Sequence, residues 1–305
     1  MKLVADVPLP GGPARFDYQS LDAATGHLLI AHMGAGQLIV FDTKMRKVSG
    51  TVGNLPQVTG VLAIPEHHRI YASVTGNHQV VAIDDQRLTV VARIGNITFP
   101  DGLAYASTSQ QVFVSDESGG GELVIDATTD KAVKTIDIGG EAGNTQFDPV
   151  SGCIVVAVQT RDRLVFIDPT TDKVSGAQEL PASCKGPHGF LTDAPRRLAF
   201  VSCEDNATLL VDDLGAPRVI STARVGDHPD VLAFDPGLRI LYVASEAGDV
   251  SIFKEDGSAL KSLGTYSAPH AHSVAVDPRT HLVYLPLESV GGKPVLRIMM
   301  PPPNQ

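Results

Sequence analysis

The 305-residue sequence has few basic residues and no extended run of them. Twenty-four Lys and Arg stand against 34 Asp and Glu, which gives a formal net charge of −10, and no basic run is longer than a pair such as Arg196–Arg197. An acidic surface repels the phosphate backbone, so nucleic acid is not expected among the partners of this protein.

Long apolar runs are also missing. No stretch reaches the length that crosses a membrane, and the N-terminal MKLVADVPLPGG lacks the apolar core of a signal peptide. We therefore expect a soluble protein with no membrane partner. The expected compartment is the cytoplasm for the chain as written, and the periplasm or the exterior if a leader has been removed.

Cysteine is scarce, with Cys153, Cys184 and Cys203 as the three residues of this type. An odd and small number argues against a disulfide framework, so we expect reduced thiols. Cys203 could act as a nucleophile beside His188, but a buried structural cysteine is the more common role. The sequence also lacks a Gly-x-Ser-x-Gly elbow and a phosphate-binding glycine loop, which disfavours serine hydrolases of that type and nucleotide binding.

Short strands and turns dominate what is present. Hydrophobic residues make up 43% of the chain, and 29 glycines and 21 prolines are scattered along it. Apolar residues alternate with period two, and no segment has a convincing helical period. These features indicate an all-β globular protein.

The chain repeats with a period of about 42 residues, and each repeat holds a short apolar strand, a turn and a second strand. The seven segments are FDYQSLDAATGHLLIAH, TGVLAIPEHHRIYASV, PDGLAYASTSQQVFVSD, GNTQFDPVSGCIVVAV, PHGFLTDAPRRLAFVSC, PDVLAFDPGLRILYVAS and AHSVAVDPRTHLVYLPL. Most repeats continue into a third and a fourth strand. Seven such units predict one domain, 1–305, that is a seven-bladed β-propeller of four-stranded blades.

The two ends of the chain predict how the ring closes. The seventh repeat has a third strand, KPVLRIMM, but no fourth, and the N-terminal KLVADVPL is strand-like. The N-terminal strand can complete the last blade, which would remove an exposed sheet edge. We expect the tail PPPNQ to be loose.

Aspartates that follow the first strand of a repeat are predicted to form turns rather than a site, because Asp bonds to the backbone just after it. They are Asp22, Asp148, Asp193, Asp235 and Asp277.

Segments such as LYVASEAGDVSIF and IYASVTGNHQVVAID resemble the YVTN-type repeats of the YncE-like family of seven-bladed propellers. The likeness covers essentially the whole chain. It implies the fold and leaves the function open, because propellers of this kind host unrelated activities.

The repeat predicts which side chains meet at one mouth of the central channel. In a propeller the first strand of each blade lines the channel, and the end of the second strand returns to the same face. We call the equivalent first-strand positions anchors: Asp17, Thr59, Asp101, Gly143, His188, Asp230 and His272. Second-strand ends add Glu117, Glu204, Glu246 and Glu288, positions two before the anchors add Arg15, His228 and His270, and His32 lies near the end of a second strand.

These residues form one polar cluster that suits a cation. Several neighbouring carboxylates need a counter-charge, which protonated imidazoles or a divalent metal ion can supply. The predicted metal ligands are His188, His228, His270, His272, Glu204, Glu246 and Glu288. The predicted substrate-binding residues are Asp17, Tyr18, His32, Asp101, Glu117 and Asn144. A lining that only holds water is the alternative.

Two further families share parts of this pattern. GPHGF around His188 and PHAHSV around His272 resemble the inner strands of streptogramin B lyases. That resemblance implies a base at His272 and a metal ligand at Glu288, while His270 and Asp230 depart from the family pattern. Gluconolactonase-type propellers are similar in placing acidic and amide ligands at one mouth, which Asp17, Asn144 and Asp230 could provide.

The cluster therefore leads to two main hypotheses about function, beside a third in which a structural cation in the channel only stabilises the closed ring. The first is a metal-assisted lyase or hydrolase, lactonase-like, in which His272 transfers the proton, His188 is its partner and Asp230 orients them. A divalent metal ion is the expected cofactor, and a small cyclic ester the expected substrate. The alternative is a non-catalytic propeller of the YncE type that binds a small ligand or a protein. The oligomeric state stays open.

Overall fold

Antiparallel hairpins build the chain into seven four-stranded sheets arranged around an axis. The computed structural model describes residues 1–257 and 259–302. After β1 (Lys2–Pro8), the first four blades contain β2 (Gln19–Asp22), β3 (His27–His32), β4 (Gln37–Asp42), β5 (Lys47–Val52), β6 (Val58–Ile64), β7 (Arg69–Val74), β8 (Gln79–Asp84), β9 (Thr89–Ile94), β10 (Pro100–Ala106), β11 (Gln111–Asp116), β12 (Gly121–Asp126), β13 (Lys131–Asp137), β14 (Ala142–Asp148), β15 (Cys153–Val158), β16 (Arg163–Asp168) and β17 (Lys173–Glu179).

The last three blades follow the same order. They contain β18 (Pro187–Asp193), β19 (Leu198–Cys203), β20 (Thr208–Asp213), β21 (Arg218–Arg224), β22 (Pro229–Asp235), β23 (Ile240–Ser245), β24 (Asp249–Asp256), β25 (Ala259–Ser267), β26 (Ala275–Asp277), β27 (Leu282–Val290) and β28 (Lys293–Met300). Short 3-10 turns occur at Met33–Ala35, Pro65–His67, Thr75–Asn77, Gln159–Arg161, Ala194–Arg196 and Glu204–Asn206. The described residues thus form a seven-bladed β-propeller, as the repeat predicted.

The N-terminal strand closes the ring. β1 pairs antiparallel with β28, with Pro8 opposite Val295 and Leu3 opposite Met299. The inner strand of the last blade, β26, in turn packs beside β2 of the first blade. This closure confirms the sequence prediction, and it leaves the seventh blade as complete as the others. Residues 303–305 of the tail that we expected to be loose lie outside the described residues.

The predicted turn aspartates have the expected role in four of the five turns. Asp22, Asp148, Asp235 and Asp277 each accept a hydrogen bond from a backbone N–H two or three residues later. Asp193 instead accepts from the guanidinium of Arg196. These carboxylates are therefore part of the turns between inner and second strands.

Glycines allow the inner strands to approach one another closely. A Cβ built on Gly189 would lie 1.9 Å from the carbonyl oxygen of Asp230, and one on Gly60 would lie 2.0 Å from that of Asp101. A larger residue would push the neighbouring inner strand away. Because the inner strands pack this closely, the anchors of successive blades lie next to one another at the same mouth of the channel.

The cysteines correct one expectation. Cys184 and Cys203 form a disulfide, with Cα atoms 5.2 Å apart, and Cys153 is the free cysteine of the chain. The expectation of reduced thiols is therefore wrong for this pair, and Cys203 has no thiol to act as a nucleophile. The fold brings the two together because Cys203 ends β19 directly opposite Pro187, three residues after Cys184. No helix of the described residues has the length and apolarity that a membrane span requires.

One buried carboxyl group departs from the apolar pattern of the blades. Glu122 in β12 is inaccessible to solvent, and both of its carboxyl oxygens lack a hydrogen-bond partner among the described residues. Its cross-strand partner is Ser115, whereas the residues opposite Ser73 and Ser202 in other blades are Val80 and Leu209. Burial raises the pKa of Glu122 well above its ordinary value.

Replacing Glu122 by Gln should therefore stabilise the protein more at pH 8 than at pH 5. The folded state holds a neutral carboxyl group, while the unfolded state ionises above its ordinary pKa, so wild-type stability falls as pH rises between the two pKa values. The advantage of the variant should grow by up to about 1.4 kcal/mol per pH unit in that window. Urea unfolding of the wild type and the variant at pH 5 and pH 8 measures the difference in their free energies of unfolding. If the variant and the wild type differ by the same free energy of unfolding at both pH values, the prediction is wrong.

Candidate functional site

The anchors converge on a cavity of about 240 Å³ at one mouth of the channel. Side chains from the inner strands and from second-strand ends line it together. The lining consists of Arg15, Asp17, Tyr18, Met33, Thr59, Phe99, Asp101, Glu117, His188, Glu204, Asp230, Glu246 and His272. The structure therefore assembles most of the residues that the repeat placed at this rim.

Asp230 lies between two imidazoles from neighbouring blades. One of its carboxyl oxygens is 3.1 Å from Nε2 of His188, and the other is 2.8 Å from Nε2 of His272. All three side chains are buried. Burial alone would raise the pKa of Asp230, but His272 and His188 hold it well below its usual range. The carboxylate is therefore ionised between its two partners.

The electrostatics of the two histidines follow from the same contacts. Burial lowers the pKa of His188, but Asp230 and Asp101 outweigh it and raise that pKa to about 10. Burial also lowers the pKa of His272, and Asp230 and Asp17 raise it well above the ordinary value. Both imidazoles therefore carry positive charge at neutral pH.

Each ring nitrogen of His272 faces a carboxylate. Nε2 is 3.1 Å from Oδ1 of Asp17 as well as close to Asp230, and Nδ1 is 3.2 Å from Oε1 of Glu246. The guanidinium of Arg15 lies against the same group, with Nη2 3.0 Å from Nε2 of His272 and 3.0 Å from Oε1 of Glu246. Its side chain is 45% exposed, so it approaches from the solvent side of the mouth.

Tyr18 forms the floor of the mouth. It belongs to the first blade, yet its hydroxyl donates to Oδ2 of Asp101 at 3.0 Å and lies 3.4 Å from Nε2 of His188. Those partners belong to the third and fifth blades, so the phenol lies across the axis. Burial and the charge of Asp17 raise the pKa of Asp101 to about 7. The side chain of Tyr18 also lines the channel cavity underneath.

Negative charge exceeds positive charge in this cavity. Its carboxylates are Asp17, Asp101, Asp230, Glu117, Glu204 and Glu246, and its basic groups are Arg15, His188 and His272. Burial raises the pKa of Glu117 and of Glu204, which reports the cost of holding further negative charge here. The mouth consequently favours a cation over an anion.

One set of donors has the spacing of a metal site. Ligand atoms of Asp230, Glu246 and His272 all lie within 4.8 Å of one another. Imidazole and carboxylate donors together suit zinc, manganese, iron or nickel. Two of the seven predicted metal ligands, Glu246 and His272, belong to this set of three. The third member, Asp230, was predicted as a catalytic residue.

The other predicted ligands lie further out. Nδ1 of His228 is 3.8 Å from Glu204, and Nδ1 of His270 is 3.9 Å from Glu288, with both histidine side chains more than half exposed. His270 and Glu288 line a separate depression of about 180 Å³ that shares Arg15, Glu246 and His272 with the mouth. His188 contacts Asp230 but lies outside the set of three.

Two predicted substrate-binding residues are not at the mouth. His32 is fully buried, stacks on Phe16 with ring centroids 4.0 Å apart, and its Nδ1 is 3.2 Å from the carbonyl oxygen of Pro10. It therefore belongs to the packing under the N-terminal segment. Asn144 lines the channel cavity below Tyr18.

Sequence reasoning placed Arg15 at the rim but did not include it in the site. It is the one residue of Lys or Arg type among the lining of the mouth, and it contacts both Glu246 and His272. Its position two residues before the anchor Asp17 was the available signal. The positive charge of Arg15 reduces the net negative charge of the mouth and so opposes the binding of a cation.

Comparison with known proteins supports the fold. No family model matches the chain, and a search of curated proteins found no match. Kuenenia stuttgartiensis hydrazine synthase is similar at 14% identity and a TM-score of 0.82, covering 96% of this chain and 97% of that one. The structure of U3-55K gives 10% identity and a TM-score of 0.82, covering 99% and 100%.

A third solved structure is similar to the same extent. The RRP9 WD40 repeats give 9% identity and a TM-score of 0.81, covering 99% of both chains. At these identities the similarity shows the propeller fold and leaves the function to be argued from the site.

Proposed function

We propose that the mouth binds a divalent metal ion at Asp230, Glu246 and His272 and acts as a metal-assisted hydrolase or lyase, lactonase-like, on small ester-type substrates. The observation that carries the proposal is the convergence of these three donors within 4.8 Å in an acidic, solvent-open cavity. Asp17, 3.1 Å from Nε2 of His272, is positioned to complete the ligand set.

The donor chemistry fits such an ion. Two carboxylates and a neutral imidazole are hard to borderline ligands, so His272 must release its proton when the ion binds, and the negative charge of the surrounding carboxylates compensates a divalent charge. Arg15 is the competing cation. Its guanidinium is 3.0 Å from Glu246 and partly exposed, so it can move towards solvent when a metal ion binds.

The residues around the proposed ion have separate tasks. A bound metal ion would polarise the carbonyl of a substrate ester. Because His272 is a ligand of the proposed ion, His188 is better placed to transfer a proton, through the Nε2 that lies 3.1 Å from Asp230 and 3.4 Å from the Tyr18 hydroxyl. Tyr18 and Asp101 orient that proton path, with 3.0 Å between the hydroxyl and the carboxylate.

Calorimetric titration with Mn²⁺ and Zn²⁺ after chelator treatment tests the metal site. Glu246→Gln should weaken binding at least about tenfold, since it removes a charged ligand. Glu204→Gln, at the equivalent second-strand end of the preceding blade, should change affinity by less than about threefold. Hydrolysis of a panel of lactones and aryl esters should require the metal and fall in the Glu246→Gln and His188→Asn variants. Absence of binding, or equal effects of Glu246→Gln and Glu204→Gln, would refute the site.

The second candidate is a binding propeller without catalysis. The observation that favours it is the ion pair between Arg15 and Glu246, which already neutralises part of the negative charge of the site. In that case the mouth binds a small cationic ligand or a basic segment of a protein, and no substrate is consumed. Metal binding without turnover of any ester in the panel would support this alternative over the first.

A further inference from the structure

A second and chemically different cavity lies in the channel beneath the mouth. It has a volume of about 440 Å³, and Tyr18 separates it from the acidic cavity above. Cavities of this size accommodate small organic ligands. It is bounded by inner-strand residues of all seven blades.

The lining of this cavity carries no charge. Among the described residues that bound it there is no Asp, Glu, Lys, Arg or His. Part of the wall is apolar, with Phe190, Leu232 and Val274 as examples. An ionised ligand would lose its hydration here without gaining a counter-charge, so the channel selects against ions while the mouth selects for cations.

Two primary amides face this space from one strand. Asn144 and Gln146 of β14 both line the cavity, as does Thr145 between them. No hydrogen bond joins either side-chain amide to another described residue, although Asn144 is buried. Each can therefore offer one acceptor and two donors to a molecule in the channel.

The other blades show that these amides are a local departure. The position of Gln146 is occupied by Leu62 in the second blade and Leu191 in the fifth, and all three line the cavity. The position of Asn144 is occupied by Val231 in the sixth blade. The fold accepts apolar residues at both places, so packing does not require the amides.

We propose that the channel is a binding site for an uncharged ligand that carries an amide group, held by Asn144 and Gln146 and packed against the apolar wall. An amide supplies both a donor and an acceptor, so it can pair reciprocally with a side-chain amide. This site does not depend on the proposed activity of the mouth.

Benzamide, benzamidinium and benzoate provide a matched test, because they have nearly the same shape and differ in charge. Isothermal titration or saturation-transfer NMR should detect benzamide with a Kd of about 1 mM, a value within reach of a nine-atom ligand. Benzoate should not bind. Benzamidinium should bind at the mouth, and its binding should weaken in Asp101→Asn.

Variants taken from the chain's own repeats locate the site. Asn144→Val and Gln146→Leu reproduce residues already present in equivalent blades, and each should weaken benzamide binding about threefold or more. His272→Ala should leave benzamide binding unchanged, which separates this site from the proposed metal site. Failure of benzamide to bind wild-type protein at about tenfold above that Kd would overturn the proposal. So would binding that is indifferent to both channel variants, and water alone would then occupy the channel.

Discussion

Replacing Asp230 by Asn is expected to lower the free energy of unfolding by about 3–5 kcal/mol at pH 7. The carboxylate lies between His188 and His272, at 3.1 and 2.8 Å from their Nε2 atoms. Asn keeps the shape but removes the charge, so two buried imidazoles must either repel each other or lose a proton. Equilibrium unfolding in urea, with a chelator present so that no metal contributes, measures the loss.

Asp227→Asn is the matched control for this prediction. Asp227 is three residues away in sequence, and its side chain is 69% exposed in a pair with Arg224. The same chemical change there should cost no more than about 1 kcal/mol. His188→Asn in the Asp230→Asn background should cost less than it does alone, because its partner is already absent. If Asp230→Asn lowers the free energy of unfolding by less than about 1 kcal/mol, Asp230 does not form buried ion pairs with His188 and His272.

The blade number and the residues of the rim could be predicted from the sequence because both follow from the repeat. Anchors such as His188, Asp230 and His272 recur 42 residues apart, and a propeller converts equal spacing in sequence into equivalent places around an axis. The closure by the N-terminal strand followed from counting strands in the last repeat. None of these required knowledge of side-chain packing.

Residues next to the anchors were harder to place because the inner strands are irregular. In β14 the register with β15 shifts between Ala142 and Thr145, around the anchor Gly143. Strict alternation fails at such a bulge, and Asn144 faces the channel rather than the mouth. His32 was placed by its closeness in sequence to the rim, but it precedes Met33 by one residue and points the other way, onto Phe16.

Long-range pairings outside the repeat left no usable signal in the sequence. The pairing of Tyr18 with Asp101 and His188 depends on which side chain is long enough to cross the channel axis. Charge compensation by Arg15 depends on the conformation of a flexible side chain. The disulfide depends on the path of the loop before β18, and a count of three cysteines cannot reveal it.

Removing the disulfide with Cys184→Ser and Cys203→Ser together should lower the free energy of unfolding by about 3 kcal/mol, because the unfolded chain gains the freedom of an open loop. The bridge spans 19 residues, and that loop contains His188. Cys203 directly precedes Glu204, so the disulfide restrains the positions of both His188 and Glu204 at the mouth. Urea unfolding under non-reducing conditions gives the value.

Cys153→Ser is the matched control, since Cys153 is outside the bridge and its loss should change stability by no more than about 0.5 kcal/mol. Thiol titration of the denatured protein gives an independent measurement: one reactive thiol is expected before reduction and three after it. Three thiols before reduction would mean that the bridge does not form. The segment carrying His188 would then be fixed by strand pairing and by the contacts of His188 with Asp230 and Tyr18, and the double variant should not lose the stability that closing the loop supplies.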